Sequence, residues 1–401
     1  MTSARHKNVY FVIEGLNALA TTYYGYYLFF FLKKVFGFDD FHNLAVGALF
    51  GLVFMVAAWF GGRFAQKFGY FKALKTGFVI MIVMLLAGLF LASVQSHILI
   101  MVGWTIGMCF TWPTLEGMVS ENESPRRLQK LIGIYNVVWS GSAAIAYFFG
   151  GALIDFLGVK SLFYIPAIIH AGQFLIVRWM EKWPVPATDG ADSHTFAPLA
   201  GANAYQRRTS SVPPRVFLKL AWIGNPFAYM AINTTLAVMP RLSQQLHLTT
   251  AWTGIICSVW LFARMGAFFV LWQWPGWHYR FRWFIGAYIA VITSFLVLLL
   301  APSLACVVLA QLVMGAAVGL VYYSSLYYSM DVGETKGEHG GFHESALGAG
   351  QCLGPAVGAL SLKLWPYNTD TGTWGVALLL SAGLVLLLLV GGSARTAKAK
   401  A

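Results

Sequence analysis

A few charged side chains fall inside long apolar runs of this sequence, where a charge costs about 2.5 to 3.5 kcal/mol unless it meets a partner or a water-filled cavity. Arg264 stands in the run WLFARMGAFF, and Glu14, Glu116 and Glu344 stand in three other apolar runs. A buried carboxyl group can gain and lose a proton, and a buried arginine can bind a carboxylate or a phosphate. The sequence therefore places its candidate chemistry in apolar surroundings.

Arg264 has two interpretations. It lies about ten residues from one end of its run, which is roughly 15 Å at 1.5 Å per residue and close to the middle of a membrane. There it is either a fixed cation that meets the anionic group of a substrate, or one half of a buried ion pair with an acid on a neighbouring helix. The sequence favours neither.

The three acids differ in predicted depth. Glu14 is the deepest, and we expect it to take part in proton coupling. Glu116 and Glu344 lie nearer an aqueous mouth, so for them a gate or helix-start role competes with proton coupling. Glu344, near the predicted start of its helix, would favour the positive end of the helix dipole.

The stretch GEHGGFHESA holds His339 and His343 four residues apart, a spacing that puts both on one face of a helix. It matches neither His-Glu-x-x-His nor its inverted form, so we expect no metal site here, and we expect no cofactor. A pH-sensitive gate at His343 is the preferred interpretation, because histidine titrates near neutrality.

Neutral polar side chains at similar predicted depth complete the candidate substrate site, although Asn17 and Asn225, each taken alone, are more typical of hydrogen bonding between helices. These neutral side chains are Asn17, Asn225, Tyr135, Asn136, Trp139, Gln311 and Gln351. The aromatic stretches TTYYGYY and VYYSSLYY either line a binding cavity or belong to an interfacial belt. For the second stretch, which is nearer the end of its run, the belt is the preferred interpretation.

The composition explains the surroundings of these residues. Hydrophobic residues make up 58% of the chain, aromatic residues 16%, and the mean hydropathy is +0.66, which is more than a soluble domain buries. About 20 apolar residues cross the hydrocarbon layer as a helix, and in lipid only helices or closed barrels satisfy their backbone groups. The runs are too long for barrel strands, so we predict an all-α membrane protein with twelve transmembrane helices. The predicted runs are Val9 to Leu32, Leu44 to Gly61, Ala73 to Ser93, His97 to Val119, Leu131 to Ile154, Ser161 to Trp179, Val216 to Pro240, Ala251 to Trp274, Trp283 to Ala301, Ser303 to Met330, Gly341 to Leu364 and Thr373 to Val390.

The distribution of positive charge predicts the orientation. Most of the 27 Lys and Arg residues fall at the termini and in alternate loops, and such residues stay on the cytoplasmic side. We therefore predict a multi-pass protein of the cell (inner) membrane with both termini in the cytoplasm. The same asymmetry explains the net charge of +12 without a nucleic-acid partner.

One long polar segment divides the runs into six and six. We predict a six-helix bundle at 1–180, a cytoplasmic linker at 181–215 and a second six-helix bundle at 216–401. Asn17 and Asn225 occupy corresponding places in the two halves, which supports an internal duplication.

The segment GGRFAQKFGYFK between the second and third runs resembles the loop signature Gly-x-x-x-Asp-Arg-x-Gly-Arg-Arg of the major facilitator superfamily. Gly62 and Gly69 stand at its glycine positions, Lys67 at its arginine and Lys72 near its end, while Gln66 replaces its aspartate. In that family the acid contacts the start of the eleventh span and helps to hold one conformation. The resemblance implies a conformational gating role for these five residues.

A second pattern of the same superfamily, Gly-x8-Gly-x3-Gly-Pro-x2-Gly-Gly, is typical of the fifth span of its antiporters. Here it falls in the eleventh run, with Gly354 and Pro355 at its centre, and this displacement argues against a drug exporter. Small residues let helices approach closely and a proline permits a bend, so we expect a packing and hinge role.

The resemblance implies a secondary transporter that works by alternating access, and a monomer in the lipid bilayer. With Glu14 it implies protons as the coupling ion, in symport or antiport, and Arg264 favours a small anionic organic substrate. No nucleotide-binding loop is present in the sequence, and we expect no enzyme activity. A multidrug or metabolite efflux antiporter, a lipid flippase and a non-transporting membrane receptor stay open as alternatives.

Overall fold

The computed structural model describes residues 3–120, 125–182, 212–300, 303–332 and 337–400. Throughout these ranges the regular secondary structure is helical, with one short 3₁₀ turn at Pro275–Trp277. The α-helices are α1 Ser3–Phe36, α2 Asp40–Phe68, α3 Tyr70–Gly88, α4 Val94–Cys109, α5 Trp112–Ser120, α6 Pro125–Leu157, α7 Ser161–Met180, α8 Pro214–Gln245, α9 Thr250–Cys257, α10 Val259–Gln273, α11 Phe281–Leu300, α12 Leu304–Val332, α13 Gly337–Leu364 and α14 Thr371–Lys400.

Nine spans within the described ranges are long and apolar enough to cross a membrane, which confirms an all-helical membrane protein. Two of these spans are interrupted helices. The span Val94–Val119 contains α4 and α5, and the span Thr250–Gln273 contains α9 and α10. Every predicted run overlaps one helix or one such pair, but the runs in α1, α8 and α13 are not among these nine spans.

The segment that resembles the family loop is largely helical. Helix α2 continues to Phe68, and Gly69, with a φ of +92°, is the single residue between α2 and α3. A loop from Gly62 to Lys72 was therefore the wrong expectation. The helix continues past the apolar run because it pairs backbone N–H and C=O groups as well in water as in lipid. A glycine with positive φ then makes the turn.

The cations at this corner stand over aromatic rings. Lys67 and Lys72 are exposed, and their ammonium groups lie 5.4 and 4.9 Å from the centroid of the Phe68 ring. Lys75 donates to a carboxylate oxygen of Glu181 at 2.6 Å, which ties the start of α3 to the end of α7. The Gln66 side chain is exposed and has no hydrogen bond to any residue that the structure describes.

Helices α2 and α13 pack against each other along much of their length because glycines remove the side chains between them. A methyl group added at Gly51 would overlap the backbone of Cys352, and one added at Gly348 would lie 2.5 Å from the Cα of Met55. The Ser345 hydroxyl donates to the Met55 carbonyl at 2.8 Å. Close backbone approach through small residues is how helices associate in lipid.

Gly354 and Pro355 belong to the same packing. Pro355 lies inside α13 and faces Gly47 of α2. A methyl group on Gly354 would come within 2.5 Å of the Met230 carbonyl oxygen on α8. Helix α13 is thus held between α2 and α8 at its proline.

We expect Gly51→Ala to lower the melting temperature of the detergent-solubilised protein. The added methyl group must displace α13, and overpacking of this kind costs about 1 to 3 kcal/mol. Gly286→Ala is the matched control, since Gly286 is exposed on α11 and has nothing within 4 Å of the new methyl group. Equal melting temperatures for the Gly51→Ala and Gly286→Ala proteins would contradict the close approach of α2 and α13.

Candidate functional site

A cavity of about 140 Å³ lies among helices α1, α2, α4, α5, α6, α8, α10, α12 and α13. Its walls are mostly aromatic and aliphatic, and Arg264 and Glu344 are its charged lining residues. Among the predicted site residues, Trp139 and Gln351 line it as well. The structure thus brings the predicted anion contact, one predicted acid and two predicted neutral groups to one central cavity.

Arg264 stands within a group of aromatic rings. Its guanidinium carbon lies 4.6 Å from the ring centroid of Trp139, 4.8 Å from that of Tyr322, 5.4 Å from that of Phe268 and 5.7 Å from that of Tyr229. One Nη donates to the Tyr229 hydroxyl at 3.2 Å. The side chain is 2% exposed, so the rings replace most of the water around the cation.

No carboxylate in the described part of the chain forms an ion pair with Arg264. Its buried Nε has no hydrogen-bond partner among the described residues. A buried cation of this kind is costly without an anion. The arrangement leaves guanidinium donors available at the wall of the cavity.

Acidic side chains and a histidine meet beside the cavity. The ligand-type atoms of Glu116, His343 and Glu344 all lie within 4.8 Å of one another. Glu14 interacts electrostatically with both of these glutamates. It is fully buried, and neither of its carboxyl oxygens has a hydrogen-bond partner among the described residues.

Glu344 does not stand at the start of its helix. Helix α13 begins at Gly337, so Glu344 lies about two turns inside it, where the helix dipole has little effect. It is 5% exposed. The expectation of a helix-start role for Glu344 was therefore wrong, because the helix extends further toward its amino end than the apolar run does.

His343 also lines a second cavity of about 300 Å³, between α8, α12 and α13. Ser325 Oγ lies 3.3 Å from its Nδ1, and Asn225 and the exposed Lys219 line the same cavity. The central cavity thus contacts Glu344, and the second cavity, called the side cavity below, contacts the neighbouring His343. The side chain of His339, the other histidine of the predicted pair, lies outside the described residues.

Other predicted polar residues are buried away from the central cavity. The Nε1 of Trp139 donates to the Oδ1 of Asn136 at 3.1 Å, while Tyr135 neighbours Glu14. The amide atoms of Asn17 and Gln311 are buried without hydrogen-bond partners among the described residues. These side chains lie between packed helices.

Several lining residues were not predicted, among them Tyr229, Asn233, Trp104 and Trp112. A signal for two of them was present, since Asn225, Tyr229 and Asn233 follow one another at intervals of four residues, which places them on one face of a helix. The Nδ2 of Asn233 donates to the Tyr229 carbonyl at 3.0 Å. Nothing in the local sequence marks the two tryptophans.

The interfacial-belt interpretation of VYYSSLYY was wrong. Tyr322 lines the central cavity, and Tyr323, Tyr327 and Tyr328 are each at most 2% exposed. The Tyr328 hydroxyl accepts a hydrogen bond from the backbone nitrogen of Tyr279 at 2.9 Å. Helix α12 is enclosed by its neighbours here, so its tyrosines pack inside the protein.

An ion-pair network stands at the end of α2 opposite the Gly69 turn. Arg241, near the end of α8, lies 2.7 Å from a carboxylate oxygen of Asp40 and 3.3 Å from one of Asp370. A separate hydrogen bond, from the backbone nitrogen of Ala251 to a carboxylate oxygen of Asp155 at 3.1 Å, joins α9 to α6. Both contacts join the part of the chain before residue 181 to the part after residue 215.

The chain is similar to one protein family in sequence and to several solved transporter structures in fold. The sequence profile described as Major Facilitator Superfamily matches residues 10–355, whereas a search of curated protein sequences found no match. Similar solved structures include a bacterial homologue of the human lysosomal transporter Spinster, inward-facing and unoccupied, at 15% identity and a TM-score of 0.67, covering 98% of this chain and 96% of that one. The nucleoside transporter NupG, in a mutant form, is 15% identical with a TM-score of 0.68 over 96% of this chain and 99% of its own. The human organic anion transporter MFSD10 (TETRAN) is 15% identical with a TM-score of 0.65 over 97% and 99% of the two chains.

Proposed function

The chain belongs to the major facilitator superfamily, and on that premise we propose that it is a secondary transporter of a small organic anion, driven by protons. It is a multi-pass integral membrane protein of a solute-transporter family. The finer assignment rests on the residues of the central cavity and of the acidic cluster beside it.

The single observation that carries the anion assignment is the buried guanidinium of Arg264, which has no carboxylate partner among the described residues. A substrate carboxylate would satisfy its available donors in two parallel hydrogen bonds, as arginine and carboxylate groups commonly do. One structural neighbour transports organic anions, but at 15% identity the likeness concerns the fold. The charge of the substrate is therefore inferred from Arg264.

The acidic cluster suits a proton-coupling role. Glu14, Glu116 and Glu344 cannot all be ionised at close range in apolar surroundings without a strong penalty, so the cluster favours bound protons. An anion at Arg264 increases that preference, because Glu344 lines the same cavity and like charges repel. By reciprocity a bound proton favours the anion, which makes symport the expected direction of coupling.

The side cavity offers the cluster its own route to water. It contains His343 and the exposed Lys219, and it is separate from the cavity that holds Arg264. We propose that protons exchange through His343 while the anion uses the central cavity.

For alternating access we propose that six-helix halves at 1–180 and 216–401, joined by a cytoplasmic linker, rock about the cavity. The gates would be the close contact of α2 with α13 around Gly354 and Pro355, the corner from Gly62 to Lys72, and the Arg241 network at the opposite end. With the basic corner in the cytoplasm, the Arg241 network faces the other side of the membrane. We propose that one chain suffices for transport and that it resides in the inner membrane.

The test is uptake by the purified protein in proteoliposomes, with an inward proton gradient and matched radiolabelled carboxylates, amides and amines. We expect carboxylates to accumulate and the gradient to be required. Accumulation of amines with an opposed gradient would instead indicate an efflux antiporter, transbilayer movement of labelled phospholipid would indicate a flippase, and saturable binding without flux would indicate a receptor.

A further inference from the structure

We infer that the transported anion is a monocarboxylate with a single aromatic ring, an inference that rests on the proposed function. It names the chemical class that the central cavity recognises, through the charge at one end of the cavity and the rings around it.

The charge count favours one negative charge on the substrate. Arg264 is the one cation among the described residues that line the cavity, and Glu344 is also part of the wall. A second carboxylate on the substrate would find no second cation among these residues. Dicarboxylates and phosphate esters of higher charge are therefore disfavoured.

The walls favour an aromatic body. Trp139 and Trp112 meet edge to face with their centroids 6.1 Å apart, and Trp104 stacks with Phe50 at 6.4 Å. All four side chains line the cavity. Flat rings at these distances present both faces and edges, which an aromatic substrate matches by offset stacking or by edge contacts.

The volume favours one ring. The cavity measures about 140 Å³, and an apolar cavity of about 150 Å³ is known to hold a benzene molecule. A fused polycyclic body would need the helices to separate. Phenylacetate is thus a suitable probe, since it joins one ring to one carboxylate.

The experiment is isothermal titration calorimetry of the full-length protein in detergent with four matched probes. We expect phenylacetate to bind about 5-fold or more tightly than cyclohexylacetate, because the ring adds aromatic contacts beyond its area. We expect phenylacetamide, which lacks the charge, to bind at least about 100-fold more weakly. The dianion phthalate should bind more weakly than phenylacetate.

Variants distinguish an effect of the aromatic cavity wall on ligand preference from a general effect on the fold. Trp112→Leu should remove the preference for phenylacetate over cyclohexylacetate and Trp112→Phe should keep it, while Trp374→Leu, at an exposed position on α14, should leave it unchanged. Equal binding of the ring and cyclohexyl compounds by the parent protein would overturn the aromatic inference and leave the anion transporter intact. Binding of phenylacetamide as tight as that of phenylacetate, with no carboxylate taken up by proteoliposomes, would instead reject the proposed function.

Discussion

Replacing Arg264 by methionine should abolish anion transport and at the same time raise the thermal stability of the protein. The substrate would lose a bidentate charged contact in a desolvated cavity, which corresponds to at least about a 100-fold loss in affinity. The fold would lose a buried charge that has no carboxylate partner in the described structure. Methionine keeps a long apolar stem against the surrounding rings.

The expected gain in stability is small and positive. The cost of an intramembrane arginine is about 2.5 to 3.5 kcal/mol, and its contacts with aromatic rings return about 2 kcal/mol. The difference predicts that Arg264→Met is more stable by about 1 kcal/mol in the absence of substrate. Proteins that hold strained or unpaired groups for function typically gain stability when such a group is removed.

Two measurements on each variant make this prediction sharp. Melting temperature without substrate reports the fold, and uptake in proteoliposomes reports the site. Arg264→Lys is the control, since lysine keeps the charge but lacks the planar pair of donors, so it should lose much of the transport without a gain in stability. A methionine variant that melts several degrees below the parent would show that Arg264 serves a structural interaction.

Replacing Glu344 by glutamine should uncouple transport from the proton gradient. Glutamine keeps the size and the hydrogen-bonding groups of the side chain, but it cannot release a proton. Glu344 belongs both to the central cavity and to the cluster with Glu116 and His343. A side chain that cannot bind a proton at this position therefore separates anion binding from proton binding. We expect the accumulation ratio of the anion to fall to about one, while exchange of internal for external anion stays within about threefold of the parent.

The measurement compares gradient-driven uptake with exchange at several pH values. Exchange by the Glu344→Gln protein should depend less on pH than exchange by the parent. Glu181→Gln is the matched control, because Glu181 pairs with Lys75 at the protein surface, and it should accumulate the anion as the parent does. Normal accumulation by the Glu344→Gln protein would indicate that Glu14 or Glu116 couples transport to protons instead. Replacing each of those residues by glutamine tests that assignment.

Much of the architecture followed from the sequence. Apolar runs of about 20 residues have one solution in lipid, because each backbone group must be bonded within its own segment. That rule requires no knowledge of neighbouring helices, so every predicted run overlaps an observed helix, although α2 and α13 extend beyond their apolar runs. Arg264, Glu14, Glu116 and Glu344 stood out for the same local reason, namely that a charge in an apolar run needs an explanation.

Tertiary structure alone decided which of these residues meet. Glu116 of α5 lies close to Glu344 of α13 because the two helices turn these faces toward one another. The walls around Arg264 depend on the same kind of helix rotation, which brings Trp112, Tyr229 and Tyr322 to the cavity. Side-chain packing sets those rotations, and lipid offers no apolar contrast that would mark the buried face in the sequence. The residues alone therefore identified the chain as a helical membrane protein with a buried cation. The aromatic cavity, and the lack of a carboxylate partner for Arg264 among the described residues, are properties of the packed helices.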